Sequence, residues 1–351
     1  MKRISPPLAA CLLLAAASSA LAAPADETTC LKEAEPARAL PACGKALSDA
    51  KLDKARRVKL LAARAANYTK TRKFNEALND YSAALQLDAA NNDVQVARGD
   101  LFLITGQVDK AISDYSAVIT RDPRNVRAHM GRAVAWQFRQ KPEFAMKDID
   151  AALKVQPKNG PLHAQRAGLF MRMKKWKEAI NDYNQAIFAD PNDVDSRENR
   201  AAAWMRLGKF GNAVNNLDVA IRLDPKRASL YEKRAMANWK LGRKEKALAD
   251  LSMVVKLKPD LPRPLIDRGI VRFRMGRFED ALADFARAEK MGGSSASLHY
   301  FRARALESLN RPKAAITAEY ERALQAPVTR MSDQRARMEA DKRLKALKTL
   351  K

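Results

Sequence analysis

The sequence predicts an all-α chain of repeated helical hairpins stacked side by side. Three observations predict it. Pro123, Pro157, Pro191, Pro225 and Pro259 follow one another at intervals of 34 residues. Small residues return at two fixed places within each interval. Each interval also holds two stretches of helical apolar spacing, parted by a Gly or polar turn such as "MRLGKFGNA" and closed by an Asp-Pro or similar dipeptide that cannot continue a helix.

The chain has 351 residues, 47% apolar and 30% charged, with 13 Gly and 16 Pro, a composition that folds rather than one of a linker or disordered tail. A formal charge of +25 suggests anionic partners as a class without selecting one. At the amino end Lys2 and Arg3 precede an apolar run from Leu8 to Ala23, with a small-x-small site at Ala20-Leu21-Ala22. Residues 1–22 therefore read as a signal peptide cleaved before Ala23, and the mature protein as periplasmic. The run is short for a spanning helix and no later stretch is long and apolar enough, so the mature chain is not expected to be transmembrane. Leu8-Ala9-Ala10-Cys11 resembles a lipobox, but only seven residues precede it and most of the apolar run follows, which argues against a lipoprotein. Cys30 and Cys43 remain after export, and an even number of cysteines in an exported chain favours a disulfide.

The proline series extends through Ala89 and Gly293 to Pro327, giving eight units that start at Val58, Asn92, Val126, Gly160, Val194, Ala228, Pro262 and Ala296 and fill residues 58–329. Position 8 is small in each, from Ala65 and Gly99 to Ala303, and position 20 is Ala throughout, from Ala77 to Ala315. Position 24 is usually large, as at Tyr81, Tyr115, Ile149, Tyr183 and Phe285. Small residues let the two helices approach and the large ones fill the space beside them. A lone hairpin cannot bury its own apolar face, so neighbours stack. Position 11 is aromatic at Tyr68, Phe102, Trp136, Phe170 and Trp204, but Asn238 and Arg272 depart, with Trp239 and Phe273 one place late. Tyr320 and Ala323 are also one place late, which predicts a shifted second helix in the last unit. The pattern over residues 58–329 resembles the tetratricopeptide repeat family. That resemblance implies a right-handed α-solenoid with capping helices and a concave face that binds peptides or proteins.

Within "HAQRAGLFMR" (163–172), His163, Arg166, Ala167 and Phe170 share one helical stripe, which puts a permanent charge where burial is expected. Every unit repeats it, at Arg64, Arg98, Arg132, Arg166, Arg200, Arg234, Arg268 and Arg302, although the family pattern has Leu there. Position 23 of the second helix reads Asp80, Asp114, Asp148, Asp182, Asn216, Asp250, Asp284 and Ala318. An uncompensated buried charge costs several kcal/mol, so structural Arg–Asp pairs within or between units are expected, with Asn216 and Ala318 as weak rungs. A row of arginines lining an anion channel is the functional alternative, disfavoured because the small residue beside each one is packed.

At the start, residues 23–57 read as a degenerate capping hairpin, with Cys30 and Cys43 at positions 7 and 20 of a unit starting near Pro24. The chain looks like exported proteobacterial tetratricopeptide proteins that carry such a pair, and the resemblance implies a bridge stapling the hairpin. No Cys-x-x-Cys redox motif is present. At the end, residues 330–351 form a basic capping helix or tail, with Ala336, Ala340, Leu344 and Leu347 as its stripe.

On the open side of the first helices, positions 2, 5, 6, 9, 12 and 13, apolar–cation pairs recur at Met171-Arg172, Met205-Arg206, Trp239-Lys240 and Phe273-Arg274. They are candidate groove residues for a peptide with acidic groups. The bland alternative is that position 12 packs and position 13 is a solvated helix end. His129, His163 and His299 all fall at position 4, on the packed side, and are expected to stack rather than bind metal. No phosphate loop, HExxH or nucleophile-elbow pattern occurs, so neither an enzyme, a cofactor nor a metal is expected. The reading is a noncatalytic periplasmic scaffold for an unidentified protein or peptide, with a basic module for anionic lipid or polysaccharide as the alternative. Export would keep it away from nucleic acid.

Overall fold

The computed structural model describes residues 25–349, and the expected signal peptide and lipobox lie outside them. Among the described residues there are 19 helices and no strand. The chain divides into two compact units between Ala151 and Ala152.

The first unit holds α1 (Ala25–Lys32), α2 (Pro36–Leu47), α3 (Lys54–Lys70), α4 (Phe74–Leu87), α5 (Asn92–Ile104), α6 (Val108–Arg121), α7 (Val126–Phe138) and the start of α8 (Pro142–Val155). Contacts run between consecutive helices, so each hairpin packs on its sequence neighbours. The Cys30–Cys43 disulfide joins α1 to α2, with 4.6 Å between the Cα atoms. Both sulfurs are buried against Ala46 and Leu60. α3 begins at Lys54 rather than Val58, because Asp53 accepts the Arg56 N–H and caps an extra turn. Arg56 then reaches the buried Glu27 of α1 through its Nε at 3.1 Å. Farther along, the Tyr115 ring fills the room left by two glycines. A Cβ at Gly99 or Gly131 would come within 2.8 or 2.5 Å of it.

The second unit contains α9 (Gly160–Arg172), α10 (Trp176–Ala189), α11 (Val194–Arg206), α12 (Phe210–Leu223), α13 (Ala228–Lys240), α14 (Lys244–Leu257), α15 (Pro262–Arg274), α16 (Phe278–Lys290), α17 (Ala296–Ser308), α18 (Lys313–Gln325) and α19 (Met331–Thr349). Its hairpins repeat the same packing. The α17–α18 turn carries one residue more than its neighbours, which moves α18 by one place and buries Tyr320 and Ala323 where positions 24 and 27 lie elsewhere. α19 packs along α17 and α18 through Ala336, Ala340 and Leu344. Its approach is fixed by Asp333, fully buried, which accepts N–H bonds from Ser297, Thr329 and Arg330 at 3.1–3.3 Å.

One backbone feature recurs in both units. From α3–α4 onward, the second residue of the turn inside each hairpin has positive φ: Arg72, Gly106, Gln140, Lys174, Gly208, Gly242, Gly276 and Asn310, between 50° and 77°. That left-handed residue lets the chain reverse after the helix C-cap, and glycine takes it without a Cβ penalty. On the return turn, Asn91, Asn125, Asn159, Asp193 and Ser295 accept the N–H of the third residue of the next helix. The turn into α15 ends on Leu261 and has no such cap.

Candidate functional site

The arginine column meets the aspartate column inside each hairpin. Arg64, Arg98, Arg132, Arg166, Arg234 and Arg268 each place Nε and Nη2 on both carboxylate oxygens of the Asp sixteen residues later, with closest approaches of 2.6–2.8 Å. The other arm, Nη1, turns to the preceding hairpin. Arg98 meets Ser82, Arg132 meets Ser116, Arg200 meets Asn184, Arg234 meets Asp218 and Arg268 meets Ser252, each sixteen residues earlier, at 2.7–3.4 Å. In these five hairpins the guanidinium therefore closes its own hairpin and bolts it to the one before. Burial pushes the Arg234 guanidinium down, but Asp250 and Asp218 outweigh it and hold the group above its ordinary value. Arg302 instead meets Glu289 and, at 3.7 Å, Glu319, the residue that the shifted α18 puts in place of Ala318.

The histidines do more than stack. His129 Nδ1 lies 3.0 Å from Asp148 and its Nε2 3.1 Å from the carbonyl oxygen of Pro123. His163 bridges Asp182 and the Pro157 carbonyl at 2.9 Å each, and His299 meets Glu319 at 2.9 Å. Arg197 and Tyr231, at the same place in their hairpins, donate to the carbonyls of Pro191 and Pro225. Position 4, chemically mixed in the sequence, thus has one task in four hairpins: it anchors the carbonyl of the preceding turn. Burial pushes the Asp148 carboxyl up, and the His129 and Arg132 donors more than reverse this, leaving it below its ordinary range. Among the described residues no group of His, Cys, Asp and Glu is arranged to hold a metal.

The candidate groove residues separate. Met171 packs against Ala167, Ala179 and Tyr183, and Met205 against the α11–α12 core. The Phe273 ring lies on Phe278 and Phe301 at centroid distances of 5.5 and 5.3 Å. Arg172 and Lys240 are exposed helix ends, and Arg206 lies over the Trp176 ring. Trp239 and Arg274 come together across an open cavity of about 710 Å³ between α13 and α15.

Its floor is Leu251 and Val254 of α14. Met236, Ile270 and Phe301 form the walls, and Leu261 and Arg330 stand at the ends. α13 and α15 make fewer direct contacts than α15 and α17 do, and the cavity lies between them. The two helices that flank it are the ones that depart from the aromatic pattern at position 11. Asn238 and Arg272 turn inward and join the ion-pair column, Asn238 Nδ2 to Asp250 at 3.2 Å and Arg272 to Asp284 at 2.8 Å. With a polar group taking the inner place, Trp239 is displaced onto the open side. The charges at the rim are largely spent on one another: Lys258 with Glu232 at 2.9 Å and Arg263 with Asp267 at 3.0 Å. Arg274 instead stacks over Phe301 at 5.7 Å. Met236, Ile270 and Phe301 were missed from sequence. Two of them had a signal in position 9, where Met236 and Ile270 replace the Gly168 and Ala202 of the hairpins before.

The tetratricopeptide repeat pattern matches residues 62–118, 96–164, 165–215, 205–262 and 266–328. The chain belongs to the tetratricopeptide repeat family. No curated protein matches it. Among solved structures, this tetratricopeptide chain is similar to the C-terminal part of a repeat protein from Cytophaga hutchinsonii, at 17% identity over 69% of this chain and 98% of that one, with a TM-score of 0.57. PilF of Pseudomonas aeruginosa is 19% identical over 62% of this chain and 98% of its own, with a TM-score of 0.52. A repeat protein from Parabacteroides merdae is 19% identical over 72% and 99%, with a TM-score of 0.51. These likenesses show the fold. Against the family's usual Leu at position 7, this chain's arginines replace an apolar contact by a bidentate ion pair. No helix among the described residues is long and apolar enough to cross a membrane.

Proposed function

We propose that this tetratricopeptide repeat protein is a noncatalytic scaffold exported to the periplasm, and that it holds a peptide segment of a partner protein in the cavity between α13 and α15. One observation supports the reading: a cavity opens between α13 and α15, where displaced Trp239 faces Met236, Ile270 and Phe301 over an apolar floor. A cavity of this size and lining suits several apolar side chains of a peptide, and Arg274 beside Phe301 suits an acidic group next to them. The amino-terminal sequence and the Cys30–Cys43 pair support export.

A photo-cross-linking residue placed in living cells at Met236 or Ile270 is expected to capture a protein, and one at Phe188, which is 82% exposed on α10, is not. The capture is expected to survive about 0.5 M salt, where charge-only association is screened within a few ångströms. Capture of lipid or polysaccharide alone from Met236 overturns the peptide reading. Export is tested by the mass of the protein from the periplasmic fraction, expected to begin at Ala23; retention of Met1 overturns it.

A further inference from the structure

The turns inside the hairpins of residues 152–349 collect positive charge. In a stack of antiparallel hairpins these turns follow one another along one edge, and the turns between hairpins along the opposite edge. The first set reads RMKKWK (172–177), RLGKF (206–210), KLGRKEK (240–246), RMGRF (274–278) and NRPK (310–313). Their cations are exposed. Lys175, Lys177, Lys209, Lys244, Lys246 and Arg277 form no ion pair among the described residues. Acids on this edge are few, and one of them, Glu279, is engaged by Arg311 at 2.8 Å. On the opposite edge the turns mix signs, Asp190, Asp193, Asp224 and Asp260 with Lys158, Lys226, Arg227 and Lys258, so no comparable excess of positive charge gathers there.

The same turns carry an apolar residue just before the left-handed position: Met173, Leu207, Leu241, Met275 and Leu309. Met173 is 42% exposed and Leu241 38%. Closing the turn does not demand them. In residues 25–151 the same place is Thr71, Thr105 and Arg139, followed by the same left-handed backbone.

We propose that this edge lies on an anionic phospholipid surface, its lysines and arginines meeting lipid phosphates while Met173 and Leu241 enter the headgroup layer. A charged surface engages all the turns at once, and each cation near it adds to the attraction. A linear polyanion would use the cations equally well but would gain nothing from apolar tips, and it is the tips that favour a membrane. Arg274 borders the cavity, but Lys175, Lys177, Lys209, Lys244 and Lys246 do not line it, so a groove partner and a surface can be held together.

Flotation with vesicles of phosphatidylcholine, with or without one-third phosphatidylglycerol, tests this at about 0.1 M salt. The mature protein is expected to float with the anionic vesicles and not with the neutral ones. A variant with Lys175→Gln, Lys177→Gln, Lys209→Gln, Lys244→Gln and Lys246→Gln is expected to partition at least about 100-fold less. Arg at the same five places is expected to restore binding, which separates charge from misfolding. Met173→Ser with Leu241→Ser is expected to weaken flotation with all cations in place. Failure of the natural chain to float overturns the proposal, as does undiminished flotation of either the Gln or the Ser variant. Retention on immobilised dextran sulfate without flotation overturns it in favour of a polyanionic polymer.

Discussion

Arg200 stands beside Asn216 where the other hairpins of the column have a carboxylate. Its Nε reaches Asn216 Oδ1 at 2.7 Å, but the amide nitrogen turns away to the Asn212 carbonyl, so one bond replaces two. Burial then pushes the Arg200 guanidinium below its ordinary value, with Arg197 adding to the effect. Asn216→Asp is expected to complete the pair and raise stability by about 1–2 kcal/mol, read as a higher melting temperature. Asp182→Ala does the reverse, leaving Arg166 and His163 without their shared acceptor. The expected cost is about 2–3 kcal/mol, at the low end for a broken buried pair because Arg166 keeps 25% of its side chain in water. An unchanged urea midpoint would refute the pairing. The two columns of this network were legible in the sequence because one residue type repeats at one place. The second arm was not: Ser82, Ser116, Asn184, Asp218 and Ser252 share only an oxygen within reach of Nη1, and a hydrogen bond asks for no more. Position 4 was hidden for the same reason, since His, Arg and Tyr can all donate to a proline carbonyl.

Among elements, the hairpin turn shows where the sequence works against its own backbone. A left-handed residue with a Cβ costs about 1–2 kcal/mol, which Gly106, Gly208, Gly242 and Gly276 avoid and Gln140 does not. After allowing for the greater unfolded entropy of glycine, Gln140→Gly is expected to stabilise the α7–α8 hairpin by about 0.5–1 kcal/mol, measurable by thermal or urea unfolding. The terminal hairpin is the opposite case. α1 has 8 residues and, among the described residues, packs on α2 and α3, and the Cys30–Cys43 link is expected to supply about 2–3 kcal/mol. With both cysteines changed to serine, amide exchange in α1 and α2 is expected to accelerate before that of any other helices in the first unit. Equal protection with and without the link would show that packing alone holds the hairpin. The extra turn of α3 was not foreseen, because the 34-residue period starts only at Val58 while the cap that decides it, Asp53, lies outside the repeat.

For the whole molecule, the depressed carboxyls set a pH dependence. Asp148 and Asp333 are both pushed up by burial and pulled down further by their donors: His129 and Arg132 for the first, Ser297 and Thr329 for the second. The unfolded chain takes up these protons near pH 4, while the folded one resists until lower pH. Their contribution is therefore full above about pH 5 and is lost as the pH falls through 4 toward the folded values. Melting temperature is expected to be flat from neutrality to about pH 5 and then to drop, with Asp148→Asn lower at neutral pH and less steep in acid. An unchanged acid slope in that variant would place the dependence elsewhere. The sequence by itself determined the helices, their pairing and the charge column, because every contact of a hairpin stack joins near neighbours and repeats at one interval. Only the tertiary structure decided that a cavity lies between α13 and α15. The cavity depends on how far α13 stands from α15, a sum of small packing choices at Asn238, Trp239 and Arg272 that no periodic pattern encodes.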